Sequence, residues 1–75
     1  MEWIKEHYGL DTSIKKGTII KFMNMKGIIM GNKGAYFKIK MQEGYLKGTK
    51  GYYHPLWRLK YKINNKFIKP KGYTD

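Results

Sequence analysis

Apolar and polar side chains alternate with a period of two along much of this chain. The clearest example is Ala35–Met41, which reads AYFKIKM: Phe37, Ile39 and Met41 are separated by single polar or amphipathic residues. Successive side chains of a β-strand point to opposite faces, so this rhythm places one apolar set toward a core. The pattern predicts an all-β fold built from short strands.

Five segments have strand character, and turn-forming residues separate them. The predicted strands are Thr18–Met23, Ile28–Met30, Ala35–Met41, Gly51–His54 and Arg58–Ile63. Asn24–Gly27 and Gly31–Gly34 are predicted turns, because Asn and Gly adopt the backbone angles that tight turns require. Pro55 lacks the N–H that a strand ladder needs, so Pro55–Trp57 is predicted as a one-turn break before the last strand.

Two runs resemble a known family. The run GTIIKFMNMKGIIMG, Gly17 to Gly31, resembles the opening of KOW- and Tudor-type SH3-like barrels, in which a glycine-led first strand meets the second through a tight turn. The run GYYHPLWRLKY, Gly51 to Tyr61, resembles their closing segment, in which a 3₁₀ turn containing proline precedes the last strand. The chain also resembles short barrel proteins of bacteriophages.

The resemblance implies a small five-stranded SH3-like barrel over residues 17–63. Residues 1–16 are expected to form a short helical turn, ended by Gly9, and a loop that leads into the barrel. Residues 64–75 are expected to form a lysine-rich C-terminal tail.

Charge is the main functional signal. Sixteen Lys and Arg against five Asp and Glu give a formal net charge of +11 over 75 residues. Such an excess favours polyanionic partners, namely nucleic acid, an anionic membrane or an acidic protein. Solubility and the codon bias of an AT-rich genome are the alternative explanations, because fifteen of the sixteen basic residues are lysine.

Several classes of chemistry lack the residues they need. The chain has no cysteine, which excludes disulfides and thiolate metal sites. His54 has no carboxylate or nucleophile motif at a meaningful spacing, and two histidines with few acids make a metal site improbable. We therefore expect no enzymatic activity, no cofactor and no small-molecule substrate. No secretory signal or membrane-spanning apolar run is visible, which predicts a cytoplasmic protein without a membrane partner.

The polar phase of the strands carries the candidate binding residues. They are Lys21, Tyr36, Lys38, Lys40, Arg58, Lys60 and Lys62. If the strands share a sheet, these side chains form a basic surface that binds DNA, RNA or a host nucleoprotein mainly through phosphates. Tyr36 and Tyr53 are the predicted base-stacking rings. An ordinary solvated strand face is the alternative, since exposed lysines also discourage edge pairing.

A second hypothesis is a phage-type adaptor or inhibitor of a host nucleic-acid-handling protein. Its predicted contact residues are Tyr45, Leu46 and Trp57, because exposed aromatic residues commonly anchor interfaces. A structural role competes at Trp57, since Leu56 or Trp57 is expected to plug one end of the barrel and a buried ring covers about 150–250 Å². Alternation alone leaves open which face of the Tyr52–His54 strand is exposed.

Overall fold

The computed structural model describes residues 1–75, which form one six-stranded antiparallel sheet beside a short helix. The elements are α1 (Glu2–Tyr8), β1 (Ile19–Phe22), β2 (Met25–Lys33), β3 (Tyr36–Met41), a 3₁₀ turn (Gly44–Leu46), β4 (Lys50–Tyr53), β5 (Leu59–Ile63) and β6 (Lys66–Ile68). The strand order across the sheet is β4-β3-β2-β1-β5-β6. The all-β prediction is confirmed. Neither helical segment is long and apolar enough to cross a bilayer.

The core lies on the face that the alternation predicted. Phe37, Ile39 and Met41 of β3 are completely buried, and Leu59 and Tyr61 of β5 join them. The helix and the loop after it cover this core with three more aliphatic side chains: Ile4, Leu10 and Ile14. Burial of alternate residues therefore decides which face of each strand remains for function.

The predictions of five strands, a closed barrel and a basic tail need correction. The sheet has six strands and is open, with β4 and β6 as its edges. The sixth strand arises because Asn64 and Asn65 adopt left-handed angles, with φ of 52° and 65°, and fold Lys66–Ile68 back onto β5. Asn tolerates this conformation better than most residues, and two such residues in succession build the tight hairpin turn that matches strand twist.

The chain after β6 is also bound to the rest of the fold. The Thr74 N–H donates to the Leu56 carbonyl at 2.9 Å, and the Arg58 N–H donates to the Thr74 carbonyl at 2.8 Å. Gly72 packs so closely that a Cβ there would lie 2.9 Å from Leu56 Cδ1. These contacts place the C-terminal residues beside the break that precedes β5.

Both predicted glycine turns are displaced. The β1–β2 turn lies at Met23 and Asn24, with φ of 48° and 68°, whereas Gly27 lies inside β2. The β2 strand also continues through the second predicted turn as far as Lys33, with a bulge between Ile29 and Gly31. Pairing along β2 therefore overrides the local turn preference of these glycines.

The break before β5 is a hydrogen-bonded turn, and the regular 3₁₀ turn lies elsewhere, at Gly44–Leu46. Pro55 is completely buried and Leu56 packs against the core, whereas Trp57 is 43% exposed. Of the two residues proposed as a buried plug, Leu56 packs against the core, whereas the Trp57 ring is not buried. The smaller Pro55 and Leu56 occupy the space near the core, which leaves the indole partly in solvent.

Replacing Tyr61 with phenylalanine is expected to lower the free energy of unfolding by about 2 kcal/mol, because the buried Pro55 carbonyl loses its donor. The Tyr61 hydroxyl donates to that carbonyl, and burial raises the pKa of Tyr61 well above its usual range, so the donor keeps its proton. Urea unfolding of the variant measures the loss. An unchanged free energy would show that this bond does not hold the turn.

Candidate nucleic-acid interface

Three lysines stand side by side on the outer face of the sheet. Lys21 of β1 lies opposite Lys26 of β2 on one side and opposite Lys60 of β5 on the other. Ile20 and Phe22 are buried on the core side of β1, which sends the intervening Lys21 outward. Residues directly opposite in antiparallel strands have Cβ atoms about 4.5–5.5 Å apart, so this row concentrates like charge.

No carboxylate neutralises the lysine row. The one ion pair of the structure joins Lys5 to Glu2 in α1, at 2.9 Å. Glu43 lies near Lys26 but accepts a hydrogen bond from its backbone N–H at 3.0 Å. Like charges directly opposite one another destabilise a sheet, so an anion bound across the row would relieve that repulsion.

The row leads into a groove of about 640 Å³ beside the C-terminal segment. The groove is lined by Lys21, Met23, Asn24, Arg58, Lys60, Lys69, Tyr73 and Asp75. Four of these side chains are cationic and one is a carboxylate, so the groove has a net positive charge. Lys69 Nζ lies 4.8 Å from the centre of the Tyr73 ring, so these two side chains of the C-terminal segment contact each other at the groove.

Arg58 connects the groove to the aromatic residues next to it. Its guanidinium carbon lies 5.1 Å from the centre of the Trp57 ring, and its Nη1 donates to Met23 Sδ at 3.4 Å. Its backbone is left-handed, with φ of 57°, and its buried Nε has no hydrogen-bond partner. The left-handed conformation costs a non-glycine residue about 1–2 kcal/mol. Arg58 is therefore a strained residue between the groove and the aromatic residues.

The predicted basic residues form two groups on either side of β2, which contributes Lys26 between them. Lys21, Arg58 and Lys60 meet at the groove. Lys62 lies on the same face of β5, opposite Phe67 of β6. The remaining predicted residues, Tyr36, Lys38 and Lys40, lie on β3 beyond β2.

The β3 patch is extended by β4 residues. Lys40 lies opposite Lys50, and Lys38 lies opposite Tyr52. Tyr52 and Tyr36 are both about half exposed. Tyr52 is therefore the outward-facing ring of the β4 strand, which answers the question that alternation left open.

Tyr53, a predicted stacking residue, lies on the inner side and is half-buried. Its ring meets the Phe22 ring at 5.0 Å, edge to face. Burial raises the pKa of Tyr53, and the nearby Tyr45 phenol raises it further. Its ring is therefore uncharged at neutral pH and presents only part of its surface.

An aromatic patch surrounds Phe22, formed by Tyr45, Tyr53 and Trp57 together with Phe22 itself. The Phe22 ring lies 5.4 Å from Trp57, and Tyr45 is 80% exposed. Leu46 is partly buried against the core. The structure thus brings Tyr53 and Trp57 together around Phe22 and places Tyr45 near Tyr53.

Five of the eight groove-lining residues were not predicted from the sequence: Met23, Asn24, Lys69, Tyr73 and Asp75. The doublet Asn64-Asn65 between two short apolar groups is a hairpin signal that could have indicated β6, but it does not indicate where the residues after β6 pack. No local signal indicated that Lys26 would join the row, because its predicted place was a turn.

Comparisons of the chain with protein-family models, with curated proteins and with solved structures find no match. The resemblance to SH3-like barrels stays a prediction. The groove, the lysine row and the aromatic patch are therefore the features of this chain that bear on its function.

Proposed function

We propose that the chain is a non-enzymatic binding module that contacts nucleic acid, or a nucleoprotein, mainly through backbone phosphates. The observation that carries this proposal is the row of Lys26, Lys21 and Lys60, which runs without a carboxylate partner into a cationic groove. Phosphates spaced along a strand suit such a row, because each contact releases condensed counterions. The module would contact the sugar-phosphate backbone rather than recognise base edges, because lysine acts as a flexible point charge.

The proposed architecture is an SH3-like sheet that curls toward a barrel. Support comes from β5, which returns after four antiparallel strands to pair with β1 rather than with its neighbour in sequence, β4. The turn at Pro55 makes that return possible, because it ends the β4 ladder. The β6 hairpin is then an addition at the edge, and three residues that follow it line the groove: Lys69, Tyr73 and Asp75.

Fluorescence anisotropy with labelled DNA and RNA oligonucleotides, both single-stranded and duplex, tests the proposal. We expect a dissociation constant of about 1–100 µM near physiological salt, tightening steeply as salt is lowered. Four cations in the groove predict a slope of log K against log salt of about −3. Absence of binding to every oligonucleotide at low salt would contradict the proposal.

The aromatic patch favours a second candidate function, a protein-binding adaptor or inhibitor. Trp57 exposes ring surface beside Arg58, and Tyr45 is 80% exposed; aromatic residues and arginine anchor many interfaces. A partner captured after nuclease treatment, and retained at moderate salt, would support this function over the first.

A further inference from the structure

We propose that the groove and the aromatic patch form one continuous site for single-stranded nucleic acid, with a phosphate at Lys21, Arg58 and Lys60 and the adjoining base stacked on Trp57. This inference rests on the proposed function and specifies its ligand. It adds a stacking ring and a strand preference that the basic face alone does not imply.

Arg58 is the residue that makes the two surfaces continuous. Its guanidinium lies over the Trp57 ring at 5.1 Å, while the same side chain lines the groove. Arginine presents several N–H donors in a planar fork that fits phosphate, and its flat face lies well on an indole. One ligand can therefore meet the guanidinium edge with its phosphate and the neighbouring ring with its base.

The terminal nitrogens of Arg58 support this assignment. Nε is buried and out of reach of a ligand, whereas Nη1 has only the weak acceptor Met23 Sδ. The Nη groups therefore keep N–H donors for a phosphate oxygen. The left-handed backbone at this residue, with φ of 57°, is the conformational strain expected where a side chain is held for binding.

The groove has room for more than a single ion. Its volume of about 640 Å³ lies within the range of pockets that hold small organic ligands. Lys69 and Tyr73 form the opposite wall, so a sugar-phosphate segment would lie between this wall and the β1–β5 lysines. The positive lining favours a phosphodiester over an uncharged ligand.

Exposed aromatic surface beside the cationic groove favours single-stranded nucleic acid over a duplex. Trp57 is 43% exposed, and Tyr45 of the same aromatic patch is 80% exposed. The bases of a duplex are already stacked and paired, so they offer little face to a side chain. Unpaired bases stack on aromatic rings with about 1–3 kcal/mol each, largely without sequence preference.

The two tryptophans of the chain allow a direct test, since Trp3 is 57% exposed on α1, where it stacks on His7 and belongs to neither surface. In the Trp3→Phe variant, fluorescence of the remaining Trp57 is expected to be quenched when an eight-nucleotide oligothymidine binds. In the Trp57→Phe variant, Trp3 fluorescence is expected to change little. Quenching of Trp3 instead of Trp57 would overturn the assignment.

Dissociation constants of alanine variants for oligothymidine and for a duplex give a quantitative test. Trp57→Ala is expected to weaken oligothymidine binding about tenfold, which is the effect of losing one stacked base, while duplex binding changes less than twofold. Trp3→Ala, a matched truncation, should leave both affinities unchanged. Equal losses for duplex and single strand would overturn the strand preference.

Arg58→Gly separates binding from folding. Glycine relieves the left-handed backbone, so the melting temperature is expected to stay level or rise, whereas oligothymidine affinity falls about tenfold. If Trp57 and Arg58 variants bind oligothymidine as the parent does, with the salt dependence intact, this inference fails and the proposed function stands. If no oligonucleotide binds the parent protein, both fail.

Discussion

A triple variant in which Lys21, Lys60 and Lys69 are each replaced by glutamine is expected to bind nucleic acid about a hundredfold more weakly at ~50 mM salt. These three lysines come from β1, β5 and the C-terminal segment and meet at one groove. Each phosphate contact contributes about 0.7–0.9 to the slope of log K against log salt, so the slope should become shallower by about 2–3. Anisotropy titrations across a salt series measure both quantities.

A charge-matched variant distinguishes the groove from general attraction. Lys15, Lys16 and Lys66 are exposed and line no part of the groove, so their triple glutamine variant has the same net charge. We expect it to lose affinity only a few-fold. Equal losses in the two triple variants would mean that net charge, rather than the groove, determines binding.

The groove variant should also fold at least as well as the parent chain. Lys21 lies between Lys26 and Lys60 with no carboxylate partner, so replacing two members of the row removes repulsion. Like charges directly opposite in a sheet destabilise it by a few tenths of a kcal/mol or more. A variant that binds weakly while melting at the same or a higher temperature would confirm that these lysines serve binding.

Replacing Gly27 with valine is expected to lower the free energy of unfolding by about 3 kcal/mol. A Cβ at this position would lie 2.9 Å from both Ile39 Cγ2 and Met41 Sδ, and 3.2 Å from the Lys40 carbonyl oxygen. Both of those side chains are completely buried, so neither has space to move. For a domain of this size, such a loss lowers the melting temperature by about 12–24 °C.

Gly51→Val is the matched control, because Gly51 also lies in a strand. The three atoms nearest to a Cβ there all belong to the Tyr53 side chain, the closest at 3.3 Å, and that ring is half-buried on the edge strand β4. We expect a loss below about 1 kcal/mol, since the ring rotates away more easily than packed core atoms. Similar melting temperatures for the two variants would show that β2 and β3 separate to accommodate a side chain.

Strand positions were predictable where burial and alternation agree. The β3 strand departs from its predicted range by one residue, and β5 by one, because apolar side chains at every second position leave a single way to cover them. Gly27 was mistaken for a turn residue because its role depends on Ile39 and Met41, which lie more than ten residues away.

The candidate site was predictable only in part. Lys21, Lys38, Lys40, Lys60 and Lys62 were identified as outward-facing from their phase relative to buried neighbours, and the sheet register agrees. Their grouping was not predictable, since it depends on which strands pair. The pairing of β1 with both β2 and β5 creates the lysine row, whereas Lys38 and Lys40 lie on β3, one strand further from β1, and do not line the groove.

By itself, the amino-acid sequence determined that this chain forms a β-sheet, which side chains of each strand face water, and that these are strongly basic. Those properties follow from local alternation and from charge, which need no knowledge of distant residues. Only the tertiary structure decided that the residues after Ile68 close on Leu56 and line a groove, and that Arg58 meets both this groove and the Trp57 ring. The physical reason is that strand pairing and the closure of the C-terminal segment on Leu56 depend on contacts between residues far apart in the chain, which no local pattern encodes.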